Sequence, residues 1–390
     1  MNNKSQPFMI SFYICPFLVH NPNSLFTITF LCILILSIQI LYILLFLLGL
    51  NKKEKESIQT PHPVSVIICA HDEEQNLREL IPLLLAQDHP EFEVIIVEDR
   101  CNDGTYDYLR GVAAENSRLK MVRVIHKPDH ISGKKFGLTL GVRAAKFEWL
   151  LFTDADCRPA GNQWIKRMTE QYNDKTQIVL GFSPYSKREG WLNAFIRFES
   201  LLTGIQFISL AYLGRPYMGV GRNLVYTKSI FLENKGFNTH LEIMGGDDDL
   251  FVNRHATKIN TLVSVGSEAI TMSNPKLNWR DFLHQKLRHL SVGKRYKLSD
   301  KIILSIFSLT WLLTWFFVVP AMVFTGSLLS IVSILILRWI LLILLFYRGS
   351  LKLGGTFESW KVPFLDFIFA FYYLVTGLRA LVVKRIRWKN

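Results

Sequence analysis

The sequence predicts an α/β protein with a mostly parallel sheet, flanked by membrane-spanning helices at both ends. Three observations lead there. Between residues 61 and 300, short β-branched runs alternate with amphipathic helical runs, the pattern of a parallel sheet covered by helices. Uncharged apolar stretches lie on both sides of that unit. The 390-residue chain is 49% hydrophobic and only 20% charged, with a mean hydropathy of +0.21. That is too apolar for an ordinary soluble protein of this length and excludes a disordered chain.

The first apolar stretch reads as an anchor. No Asp, Glu, Lys or Arg lies between Lys4 and Lys52, and Phe26 to Leu48 is dominated by Leu, Ile, Phe and Thr. At about 1.5 Å rise per residue this run crosses a hydrocarbon core of about 30 Å. A cleaved leader would be shorter and end in small residues; here Asn51-Lys52-Lys53-Glu54-Lys55 follows, so residues 1–50 are expected to be retained. The domain unit is expected over 61–300 and further spans over 301–383. Ile302 to Leu337 carries no charge and is broken by Pro320 and Gly326, giving spans near 302–324 and 328–347. Arg338 falls within the second, where a charge must snorkel, pair or face protein. A last segment near 363–383 contains Asp366 and leads into a basic tail, 384–390. The positive-inside rule places 51–300 in the cytoplasm, with a bacterial inner membrane as the expected location. Three full C-terminal spans would put the tail on the opposite side, against the same rule. The last segment is then re-entrant or interfacial, or one of these assignments is wrong.

The formal charge of +13 allows nucleic acid, an anionic membrane or a phosphorylated substrate. The basic residues gather beside apolar segments and no nucleic-acid motif is present, so nucleic acid is not expected as a partner. Five cysteines, none in CxxC spacing, argue against a disulfide framework or a zinc site.

Within 61–300 the elements follow in order. Val64 to Cys69 is a buried strand. Leu77, Leu80, Ile81, Leu84 and Leu85 fall on one helical face. Glu93 to Val97 and Met121 to Ile125 are further strands, residues 134–146 a helix, and Trp149 to Thr153 a fourth strand. Ligands of such sheets bind beyond the carboxyl ends of the strands, and three of these ends are acidic. His71-Asp72-Glu73-Glu74 follows the first strand, Glu98-Asp99 and Asp103 follow the second, and Asp154-Ala155-Asp156 the fourth. Any one cluster fits a solvated turn or helix cap. Three at one sheet edge repel one another unless a cation or donor-rich ligand sits among them. Two carboxylates flanking a small residue suit Mg2+ or Mn2+, hard ions that bridge phosphates. A P-loop is excluded, because Pro128 stands five residues before Gly133. Gly219-Val220-Gly221-Arg222-Asn223-Leu224 is no GxGxxG fingerprint.

Taken in order, these motifs resemble those of the membrane-bound inverting glycosyltransferases of family 2, which have the GT-A fold. Ala70 to Glu74 is similar to that family's ARNEE loop, and Val97 to Thr105 to VDDGSTDGT, with Glu98 for the first Asp and Arg100-Cys101 for Gly-Ser. Gly133-Lys134 followed by Thr153-Asp154-Ala155-Asp156 resembles GK…TDAD. Gly219 to Tyr226 resembles GxGxNLAY. Gly246 to Leu250 is similar to EDxDL with Gly246 at the Glu position, and Gln285 to His289 to QxxRW with His289 for Trp. The resemblance implies a hexosyltransferase-like enzyme that takes a sugar from a nucleotide-sugar donor, a UDP-sugar favoured, to a lipid, lipid-linked or glycan acceptor at the membrane. Asp154 and Asp156 would hold Mg2+ or Mn2+. Glu73, Asp99, Lys134, Asp154, Gln285 and Arg288 would bind the donor, and Asp247 would be the general base. Gly221, Asn223, Asp248 and His289 would line the acceptor side.

The chemistry suits the residue types. A leaving diphosphate needs positive charge, which a metal, Lys134 and Arg288 would supply. An attacking hydroxyl must lose a proton, and Asp248 and Asp249 should raise the proton affinity of the group containing Asp247. Asp247 to Asp249 could instead only stabilise a helix N-terminus. Trp191 to Leu213 and Trp279 to Tyr296 read as amphipathic segments at the lipid surface, the first equally as an internal helix. A processive polysaccharide synthase and a catalytically silent membrane scaffold are the competing readings. Too few polar groups lie in the apolar segments for a transporter.

Overall fold

The computed structural model describes residues 22–52, 61–170, 172, 174–243, 245–324 and 326–382. The expected basic tail, 384–390, lies outside them. In chain order the elements are α1 (Pro22–Leu50), β1 (Val64–Ala70), α2 (Glu74–Leu85), β2 (Phe92–Asp99), α3 (Thr105–Glu115), β3 (Leu119–Val124), α4 (Gly133–Ala144), β4 (Trp149–Phe152) and β5 (Cys157–Pro159). Then follow α5 (Trp164–Thr169), β6 (Ile178–Leu180), α6 (Trp191–Tyr212), β7 (Leu224–Thr227), α7 (Lys228–Glu233), α8 (Asp249–His255), β8 (Thr261–Val263), β9 (Thr271–Ser273) and α9 (Trp279–Gly293). The chain continues through α10 (Leu298–Phe324), α11 (Leu328–Lys352) and α12 (Val362–Val382).

Seven strands form one sheet in the order β3-β2-β1-β4-β7-β6-β8, and β5 pairs with β9 in a second. Strands β1 to β4 are mutually parallel, while β7 runs antiparallel to both β4 and β6. The sheet is therefore mostly parallel, as the alternating pattern predicts. Strand β1 is buried on both faces, so its sequence is a continuous apolar run rather than an alternating one. Val66 and Ile68 pack with Leu77, Leu80, Ile81 and Leu84 of α2 on one face. Ile67 packs with Leu138 and Val142 of α4 on the other. Helix α4 lies close because Gly137 and Gly141 face β1; a Cβ at either would come within 2.7 Å of Cys69 Sγ or Ile67 Cγ2. The order reverses at β1, with β2 on one side and β4 on the other, and so opens a crevice at their carboxyl ends.

Among the described residues, five helices are long and apolar enough to cross a membrane: Leu25–Leu50, Trp191–Tyr212, Leu298–Phe324, Leu328–Lys352 and Ser359–Arg379. One of them is different. Helix α6 has 83% of its apolar window buried in protein, against 28–39% for the others. Of the two readings of Trp191 to Leu213 the internal one is observed, and the lipid-surface reading is corrected. Ser209 Oγ donates to the Phe46 carbonyl at 3.0 Å, and Phe198 stacks on Phe346 with centroids 4.5 Å apart. The charges inside α6 survive burial because they are paired: Arg197 with Glu358 at 3.0 Å, and Glu199 with Lys286 of α9.

Arg338 pairs rather than snorkels. Its guanidinium meets both carboxylate oxygens of Asp366, at 2.7 and 2.9 Å, with both residues fully buried. Trp339 Nε1 donates to the same carboxylate at 2.9 Å. Helix α12 lies along α6 through Trp191–Phe364 and Phe195–Phe369, and against α9 through Phe282–Tyr372. It is thus packed against both α6 and α9. Removing one partner leaves the other charge buried and alone, so Asp366→Ala is expected to cost about 3–5 kcal/mol. The neutral pair Arg338→Met/Asp366→Leu should recover most of it. Thermal unfolding of the detergent-solubilised chain reads both.

Candidate active site

The three acidic strand ends converge at the crevice beyond β1, β2 and β4. His71 Nδ1 donates to the Asp99 carbonyl at 2.6 Å, which ties the end of β1 to the end of β2. Asp99 is nearly buried, and its carboxylate accepts from Arg100 Nε at 2.7 Å. Gly133 opens α4 against it; a Cβ there would reach 2.7 Å from Asp99 Oδ2. Glu73 accepts from Asn76 Nδ2 at 2.6 Å. Burial raises the proton affinity of Glu73 despite that bond, with smaller contributions from Asp156, Asp154 and Asp103.

At the centre, the Lys134 ammonium lies 2.8 Å from Asp154 Oδ1 and 3.4 Å from Asp247 Oδ2. Residues far apart in sequence are joined here by one cation. Lys134, Thr153, Asp154, Gly221, Asp247 and Asp248 line the same small cleft. Burial disfavours the charge on Lys134, yet Asp154, Asp247 and Asp248 hold its proton well above the ordinary lysine range. Asp156 is raised by burial and then by Asp154, with Arg222, Lys276 and Lys134 opposing.

Asp247 arrives on a sharp turn. Gly245 and Gly246 have φ of 88° and 79°, the left-handed region that favours glycine. A Cβ on Gly246 would also meet Leu250 Cδ1 at 2.7 Å, which explains glycine where the family pattern has Glu. The expected effect of the neighbouring acids is reversed at Asp247. Burial would raise its pKa, but Lys134, its own backbone N–H and Lys135 pull it below the usual carboxylate range. The expected rise occurs instead at Asp248, through burial and Asp247, and at Asp249, through burial and Asp248. Asp248 accepts from Gly221 N–H at 2.7 Å and from Asp249 N–H at 2.8 Å, so it clamps the Gly219–Gly221 turn to the start of α8.

Helix α9 carries Gln285, Arg288 and His289. Gln285 Nε2 donates to Tyr185 Oη at 3.3 Å. Desolvation, then Lys286, Arg288, Arg222 and Lys134, lower the pKa of His289 well below the usual histidine range. Asn223 is not at the cleft surface. It is fully buried, its amide donates to the Phe182 and Ala269 carbonyls at 2.8 and 2.7 Å, and its oxygen accepts from Trp164 Nε1 at 2.9 Å. All its polar capacity is spent inside, so it braces the wall behind Gly221.

Motif reading passed over several residues of the site. Arg222 lies over the Tyr185 ring, 4.6 Å from the centroid, in the field of Asp154 and Asp156. An arginine between Gly221 and Asn223 was the available signal. Asp72, Cys101 and Asp103 gather at the β1–β2 edge, but their atoms accept from Asn102, Asp72, Glu74 and Thr105 N–H groups. That set caps turns.

Comparison with known proteins then decides the family. The model described as Glycosyl transferase family 2 matches residues 65–231, and that described as Glycosyl transferase family group 2 matches 149–357, more than half of the chain. The chain belongs to glycosyltransferase family 2. It is 23% identical over 248 residues to the probable glycosyltransferase YdaM of Bacillus subtilis, covering 60% of this chain and 56% of that one. It is 24% identical over 195 residues to the 4,4'-diaponeurosporenoate glycosyltransferase of Staphylococcus haemolyticus, covering 49% and 50%. The chain thus spans about half the length of these relatives. The mannosyltransferase PcManGT of Pyrobaculum calidifontis, solved with GDP-Man and Mn2+, has the same fold: TM-score 0.61, 16% identity, 93% of this chain and 100% of that one covered. This enzyme therefore combines a GT-A catalytic fold with helices able to span a membrane.

Because Lys134 is the first cause of the low Asp247 pKa, its removal should raise it. Replacing Lys134 with Met is expected to move the acid limb of turnover toward neutral pH. In the wild type, Asp247 stays ionised through neutrality. Its depressed pKa contributes stability above the unfolded carboxylate value, lost as pH falls through the folded one. A pH–rate profile of nucleotide release checks the shift.

Proposed function

We propose that this enzyme moves a sugar from a nucleotide-sugar donor, UDP-sugars first among the candidates, to a lipid, lipid-linked or glycan acceptor by a single inverting displacement. The observation that carries the reading is the Lys134 ammonium lying between Asp154 and Asp247. That Asp154 and Asp247 line one cleft supports reading them as the donor-side carboxylate and the base. In this reading Glu73 and Asp99 face the nucleoside. Lys134, Gln285 and Arg288 hold the diphosphate, and Asp154 and Asp156 hold Mg2+ or Mn2+.

The donor set fits a hard divalent ion: two oxygen ligands around Ala155, the mutual repulsion felt at Asp156, and a cation already seated on Asp154. Once bound, such an ion supplies Lewis-acid neutralisation of the leaving diphosphate. The structural likeness to a mannosyltransferase solved with GDP-Man and Mn2+ supports this.

Asp247 accepts the proton of the acceptor hydroxyl as its oxygen bonds to the anomeric carbon and the bond to the diphosphate breaks. Protonation of Asp247 is disfavoured beforehand by Lys134; neutralisation of Lys134 by the arriving diphosphate would relax that restraint and make the base stronger. Gly221, Asp248 and His289 bound the acceptor side. Leu277, Trp279 and Leu290, exposed on and beside α9, would bring this mouth to the lipid surface. The catalytic unit, 61–300, would face the cytoplasm, with 301–383 in the membrane.

The assay is nucleoside diphosphate release from UDP-glucose, UDP-N-acetylglucosamine and GDP-mannose with Mn2+ in detergent. Asp156→Ala is expected to weaken donor binding and abolish turnover. Asp247→Asn should keep donor binding and lose about 10²–10⁴-fold in turnover. Full activity in Asp247→Asn removes the base, and no release from any donor removes the reading. Products one sugar longer than the acceptor, resolved by gel, are expected; long ladders would mean a processive synthase.

A further inference from the structure

Lys135 follows Lys134 in α4 but points into the protein. Its side chain is fully buried, and Nζ donates to the carbonyls of His240 and Ile243 at 2.5 and 2.7 Å. Among the described residues it makes no salt bridge. Ser132 N–H, one turn earlier, donates to the Leu241 carbonyl at 3.3 Å. The start of α4 therefore grips three carbonyls of the segment that turns through Gly245-Gly246 and ends at Asp247.

An ammonium in the interior with no carboxylate partner is costly, and burial pulls Lys135 down to about 8. Asp247, Asp249 and Asp248 favour its charged form, while Arg295 opposes it. A leucine or methionine would fill the same space without that cost. The position instead supplies two donors to backbone that leads into two left-handed glycines before Asp247.

We infer that Lys135 is a positioning residue for Asp247: it pins the backbone of residues 240–243 to α4, so that the base carboxylate is held opposite Lys134 while the donor site on the same helix stays in place. The inference rests on the reading of Asp247 as base. It gives adjacent lysines separate tasks, Lys134 toward the ligands and Lys135 toward the loop that carries the base. Misplacement of a reacting group by about 1 Å can cost about 10²-fold, and a loosened glycine turn permits that much.

The test uses the full-length protein in detergent with Mn2+ and whichever of UDP-glucose, UDP-N-acetylglucosamine and GDP-mannose the wild type turns over. Lys135→Met keeps the volume and removes both donated bonds. Its kcat is expected to fall about 10–100-fold, with donor KM and nucleoside diphosphate affinity within about threefold of wild type. Lys135→Gln, able to donate to one carbonyl, should recover part of the loss. In an Asp247→Asn background Lys135→Met should cost less than about twofold more, because it acts through Asp247. Wild-type kcat in Lys135→Met overturns the inference, as does equal loss of binding and turnover, or a full further loss in the double variant. If Lys135→Met is not recovered folded, Lys135→Gln carries the test, with a smaller fall confined to kcat expected and wild-type kcat overturning it. Full turnover by Asp247→Asn is a separate failure, of the base assignment itself.

Discussion

The site is organised by electrostatic crowding. The doubly wound topology brings the carboxyl ends of β1, β2 and β4 together, and the sequence puts acids at each. Asp154, Asp156, Asp247 and Asp248 share one cleft region, and such a group is stable only with compensating charge. Lys134 is the principal compensation, in contact with the acid after β4 and the acid before α8 at once. Lys135 and Arg222 extend it from the two flanks. A site built this way is ready for a ligand carrying both anionic phosphates and a bound cation, since such a ligand exchanges one set of neutralised charges for another with little net cost.

The same rule governs the join between the sheet domain and the apolar helices. Helix α6 is threaded between them, and each charge it buries has a partner on a different element: Glu358 beyond α11 for Arg197, and Lys286 of α9 for Glu199. Helix α9, which carries Gln285, Arg288 and His289, is thereby braced by the helix that contacts α1. The cleft and the helices able to span a membrane are parts of one packed body. Arg338 and Asp366 repeat the device deeper in the bundle.

Much of this was legible in the sequence. Parallel strands buried on two faces leave unmistakable apolar runs, which is why β1, β2 and β4 could be placed from Val64, Glu93 and Trp149 onward. The acidic motifs located Asp154 and Asp156 because strand ends in this topology have one place to go, whereas Asp247, which lies before α8, was legible only through the resemblance of Gly246 to Leu250 to EDxDL. Packing across long sequence distances was not legible. Asn223 sits in a motif but spends its amide on Phe182, Ala269 and Trp164. The low pKa of Asp247 depends on a lysine more than a hundred positions away, whereas the neighbours visible in the sequence, Asp248 and Asp249, suggested the opposite sign. Charges at Arg197 and Glu199 made α6 look like a surface helix, because their partners lie on other elements.

The most direct test of the central claim is proximity across the cleft. In a variant carrying Asp154→Cys and Asp247→Cys, with the native cysteines replaced, a short thiol-reactive linker should form an intramolecular bridge in the folded protein and none in the unfolded chain. Both thiols reacting singly, with no bridge in the folded protein, would contradict the account.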